Sequence, residues 1–68
     1  MGKVIKYKYN TRIKLNEDIK HSFIAALVKN HHAEDIDARY HRVIICKVPW
    51  NERDKIRTLS WVSSVEHG

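Results

Sequence analysis

The stretch Ile5–Leu15 reads IKYKYNTRIKL, and its two-residue rhythm sets the reading of the whole chain. Odd positions carry Ile5, Tyr7, Tyr9, Thr11, Ile13 and Leu15. Even positions carry Lys6, Lys8, Asn10, Arg12 and Lys14. A β-strand sends alternate side chains to opposite faces of a sheet. One face of such a strand is therefore apolar and expects a core. The other face carries a basic row, which marks the far side of the sheet as a candidate binding surface.

Working outward, Asn16 has the chemistry of a helix N-cap, with Glu17 and Asp18 in the first turn where negative charge is favoured. Ile19, Phe23 and Leu27 recur at four-residue spacing, with Ile24 and Val28 beside them, and predict an amphipathic helix from Glu17 to about Lys29. Asn30 suits a left-handed helix end. His31–Asp37 is polar and reads as a connection. Ile36–Tyr40 predicts a short strand, and His41-Arg42 a tight turn. Val43–Val48 is rich in β-branched residues and predicts a strong strand. Its Ile44, Cys46 and Val48 share one face; Val43, Ile45 and Lys47 share the other. Pro49 ends it. A short helix follows, opened by Trp50 and Asn51 and given an apolar side by Ile56 and Leu59. Val62–Glu66 supplies a last strand.

Strand, helix, strand, strand, helix, strand is the order of the ferredoxin-like α+β sandwich, in which two helices cover one face of a four-stranded antiparallel sheet. The first and third strands then lie at the centre. The uncovered face gathers Lys6, Lys8, Arg12, Lys14, Val43, Ile45 and Lys47, an aliphatic centre within a cationic rim. Arg39, Tyr40 and Arg42 form a second basic-aromatic spot. Trp61 is a further candidate contact, since tryptophan is enriched in interaction hot spots. For both Trp50 and Trp61 the stronger expectation is core packing.

Sixty-eight residues make one domain with a thin core. Cys46 is the one cysteine, so no internal disulfide forms. Nothing approaches the roughly 20 apolar residues of a membrane helix, and a cytoplasmic, soluble protein with no membrane partner is expected. The formal charge of +5 favours acidic partners.

The segment Ile44–Glu66, IICKVPWNERDKIRTLSWVSSVE, resembles the second half of the I9 family, the subtilisin propeptides and their stand-alone inhibitor relatives. Ile56, Leu59, Val62, Val65 and Glu66 carry the resemblance, and Leu15–Asp18 followed by Phe23 resembles the family's first strand-to-helix junction. Ser60-Trp61 stands where the family has Pro-Gly. Only His67-Gly68 follows the last predicted strand, where the family's inhibitory tail lies. The resemblance thus implies a ferredoxin-like domain whose sheet docks on another protein, rather than inhibition by a tail.

No residue pattern calls for a cofactor. His31, His32, Glu34, Asp35, Asp37 and His41 cluster in sequence, but their spacing fits a solvated segment better than a tetrahedral metal site. Cys46 sits on the inward rhythm of its strand and reads as a small core residue. No glycine-rich phosphate loop or nucleophile elbow is present. The expectation is a non-enzymatic protein-binding module, an inhibitor or adaptor that occludes a partner with an acidic surface. The alternative is nucleic-acid binding through the same face, where the stacking rings of an RRM strand are replaced by Val43 and Ile45. A homodimer is a third arrangement, opposed by the meeting of like charges if two such faces stack.

Overall fold

A computed structural model describes residues 8–68. The readings of Ile5, Lys6 and Tyr7 lie outside the described residues. The elements are β1 (Lys8–Leu15), α1 (His21–His31), β2 (Glu34–Arg39), β3 (Val43–Pro49), α2 (Glu52–Arg57) and β4 (Val62–His67). All strand pairs are antiparallel, and the sheet order is β2-β3-β1-β4. This is the ferredoxin-like βαββαβ arrangement, with β1 and β3 central.

The alternation in β1 holds from Asn10 to Leu15 but not at its start: Tyr9, expected to face the core, is 40% exposed beside Trp50, and Lys8 is half-buried. Thr11, Ile13 and Leu15 are buried; Asn10, Arg12 and Lys14 are exposed. Residues opposite each other in a ladder share a face, so the register pairs the buried sets: Thr11 with Cys46 and Ile13 with Ile44. Phe23 and Leu27 of α1, Ile56 of α2 and Val62 of β4 close over them. Each fully buried aliphatic chain stabilises the fold by roughly 1.5–3 kcal/mol relative to exposure. No helix among the described residues is long and apolar enough to cross a membrane.

Helix α1 begins four residues later than the N-cap reading of Asn16 requires. Lys20 precedes the first turn, without a side-chain cap. The reason is competition for Asn16. Its backbone N–H donates to Trp61 O (3.0 Å), and its Nδ2 donates to Ser60 O (3.1 Å) and Val62 O (3.4 Å). Asn16 therefore staples the end of β1 to the α2–β4 turn instead of capping a helix. The Ile19 N–H is likewise committed, to His41 O at 2.9 Å.

The helix ends at His32, not Asn30. His32 adopts the left-handed conformation (φ 59°), and the Ala33 N–H returns to Leu27 O at 3.0 Å. Only His32 and Ala33 separate α1 from β2, so Glu34–Asp37 belongs to a strand rather than to a connection. A positive φ of 52° at Asp35 marks the register shift between Glu34 and Asp37. Helix α2 is short, as expected, at six residues, and Asn51 gives it no side-chain cap.

Candidate functional site

With both helices on one side, the other side of the sheet is left open. The register sets its side chains in rows across the strands. Arg39, Val43, Lys14 and Ser64 stand side by side on β2, β3, β1 and β4; Asp37, Ile45, Arg12 and Glu66 form the next row. Val43 and Ile45 are half-buried. They floor a depression of about 260 Å³, walled by Arg12 and Lys14 on one side and by Arg39 and Tyr40 on the other. Six residues singled out in the sequence thus meet at one place: Arg12, Lys14, Val43 and Ile45 from the first set, Arg39 and Tyr40 from the second.

The cationic rim differs from the bare basic row that β1 alone suggests. Lys8 pairs with Glu34, Lys14 with Glu66 (3.3 Å), Lys47 with Asp35 (3.5 Å) and Arg39 with Asp37 (2.7 Å). Five cations on the described face thus meet four carboxylates, a net of +1. Among the described residues, Arg12 is the one cation of this face with no carboxylate at ion-pair distance. The neutralising groups come from β2 and β4. Their identities were plain in the sequence, but their partners depend on strand order and register. Exposed pairs of this kind contribute about 0–1 kcal/mol each to folding, but a ligand's anions must still compete with their carboxylates for the cations.

Tyr40 occupies an unusual position. It lies in the turn between β2 and β3, 82% exposed, with φ 60°. Left-handed backbone is unfavourable for a side chain with a bulky Cβ substituent. The turn is held in place on its far side. Arg42 O accepts from the Leu15 N–H (2.9 Å), His41 O accepts from the Ile19 N–H (2.9 Å), and Arg42 Nε donates to Asp18 (3.1 Å). These anchors fix the turn and force the strain onto Tyr40. They also explain why Arg42 is not part of the depression: its guanidinium is engaged at the β1–α1 connection.

The two tryptophans diverge. Trp61 stacks on Phe23 with ring centroids 4.2 Å apart and packs against the core, so it is no part of the open face. Trp50, expected in the core, is 64% exposed. It meets Tyr9 edge-on at 5.6 Å and carries the Arg53 guanidinium over its ring at 4.9 Å.

Two further chemistry-bearing groups, Cys46 and His31, serve the packing of the fold. Cys46 is buried, and burial pushes its thiol up to about 11, far from the thiolate a nucleophile requires. His31 donates to Glu52 across the two helices. Among the described residues, no group of three or more His, Cys, Asp or Glu side chains is placed to hold a metal ion. Arg53 is a residue whose role the sequence did not disclose: besides covering Trp50 it bonds Thr11 and the Asn10 carbonyl on β1. No family model matches the sequence, and no curated protein or solved structure matches the chain.

Proposed function

We propose that the protein is a small non-enzymatic binding module, an inhibitor or adaptor that docks on a protein with an acidic surface through its open sheet face. The observation that carries this reading is the depression: an aliphatic floor of Val43 and Ile45 inside a polar rim that includes the unpaired Arg12. A docking patch needs apolar surface to desolvate and a polar margin to orient the partner, and this patch has both. The resemblance to subtilisin propeptides adds a fold-level analogy of the same kind, a ferredoxin-like sheet pressed on another protein. A nucleic-acid partner is less well served, because four of the five cations on the described face are already matched by carboxylates. Phosphates would have to compete with those carboxylates everywhere except at Arg12.

The test is affinity capture with the tagged protein, in parallel with Ile45→Glu and Arg12→Glu, each with and without nuclease. The reading expects one stoichiometric protein that survives nuclease and disappears with both variants, while circular dichroism shows the fold intact. A capture abolished by nuclease, or one indifferent to both substitutions, overturns it.

A further inference from the structure

The depression is a trough with a direction. Its floor residues, Val43 and Ile45, lie two apart on β3, with β1 supplying one wall and β2 and its turn the other. Residues two apart on a strand are spaced by about 6.6–6.8 Å on one face. An extended segment laid along β3 presents its own side chains with that same spacing. Within the walls, Lys14 is held by Glu66 and Arg39 by Asp37, which leaves Arg12 as the cation able to take a carboxylate without breaking an existing pair. Arg12 stands directly opposite Ile45 in the ladder. A guanidinium recognises a single carboxylate through two parallel hydrogen bonds, a geometry a lysine does not reproduce. Tyr40 stands exposed at the β2 side, on a turn whose backbone is anchored through His41 and Arg42, and offers its ring to an apolar side chain of the segment.

We propose that the trough receives an extended segment of a partner protein in which an acidic residue lies two positions from an aliphatic one, the carboxylate on Arg12 and the aliphatic chain on Val43 and Ile45. The proposal rests on the docking reading above and names the chemistry of its partner. It selects one acid flanked by apolar surface and discriminates against a run of acids, because a second carboxylate would meet Glu66 or Asp37.

Selection of random displayed dodecapeptides on the full chain tests it. Enriched peptides carry Asp or Glu two positions from Leu, Ile or Val, and they shift the amide resonances of Val43 and Ile45. Their affinity falls roughly 10–100-fold with Arg12→Gln, the loss of a charge-assisted pair. Arg12→Lys restores only part of it, and thermal unfolding of both variants matches the parent. Peptides that shift Val43 and Ile45 yet bind Arg12→Gln equally well leave docking at this face standing and overturn the acid rule. Peptides that shift only other amides, or the enrichment of none, overturn both.

Discussion

His31 and Glu52 join the two helices through a hydrogen bond of 3.0 Å between Nδ1 and Oε1, with side-chain exposures of 11% and 8%. The carboxylate accepts, so the imidazole donates. That donation, reinforced by Lys55 and opposed by desolvation, lowers the Glu52 carboxyl below its ordinary value of 4.5. A group whose pKa is depressed by folding stabilises the native state above its unfolded value, and the contribution disappears as pH falls through the folded value. Stability from Glu52 is therefore present above the ordinary value of 4.5 and is lost as pH falls through the lower folded value. Replacing Glu52 with Ala should cost roughly 1–3 kcal/mol near neutrality by leaving a buried donor unmatched. Urea unfolding of wild type and Glu52→Ala across pH 3–7 reads both effects: the gap between the two should narrow in acid, and a gap constant over the range refutes the assignment.

Tyr40 links stability to function in opposite directions. Left-handed backbone costs a non-glycine residue about 1–2 kcal/mol, and glycine's extra freedom in the unfolded chain gives back roughly 0.5–1 of what a substitution gains. Tyr40→Gly should accordingly raise the melting temperature by roughly 2–6 °C in a domain this small. The same change strips the ring from the rim of the depression and should weaken partner binding. A Tyr40→Gly protein that melts lower than the parent contradicts the strain at φ 60°.

The carboxylates on the open face decide what kind of polymer it tolerates. Glu34→Gln with Glu66→Gln removes two negative charges and raises the described face from +1 to +3. Folding stability should move by less than about 1 kcal/mol, as exposed pairs contribute little. Affinity for single-stranded nucleic acid at low salt should rise, with a log–log salt slope steeper by roughly 0.7 for each further phosphate that the freed lysines neutralise. A mobility-shift titration compares the two proteins directly. Equal binding would mean that pairing does not gate the face.

The alternation in β1 and β3 made the sheet legible, because burial of one face forces a period of two that the residues themselves display. Ile13, Ile44 and Val48 point inward as their spacing requires, and Val43 and Ile45 point outward with Arg12 and Lys14. The helix ends were not legible. Asn16 has the right chemistry for a cap, but its partners at Ser60 and Val62 are more than forty residues away, and local pattern carries no trace of such a contact. The electrostatics of the face were half visible for the same reason. Each cation could be placed on a face from its own strand, whereas Glu66 opposite Arg12 and beside Lys14 follows only once β4 is known to flank β1. Trp50 misled through its size, since an exposed tryptophan is as available to a cation above its ring as to the core.

Arg53 provides a last test, this time of what holds the open end of the sheet. Its Nε donates to the buried Thr11 hydroxyl (3.2 Å), its Nη2 donates to Asn10 O (2.8 Å), and its plane covers Trp50. The Thr11 hydroxyl is itself a donor to Tyr9 O at 2.9 Å, so the guanidinium supplies the proton that its oxygen accepts. Lysine brings the charge but not the fork or the flat face. Arg53→Lys should therefore destabilise by roughly 1–2 kcal/mol, the loss of one charge-assisted bond and most of the stacking. In a Trp61→Phe background, where Trp50 is the remaining indole, its emission should shift to longer wavelength as the covering guanidinium leaves. Unchanged emission with unchanged stability would show that the Arg53 contacts contribute nothing to holding α2 against β1.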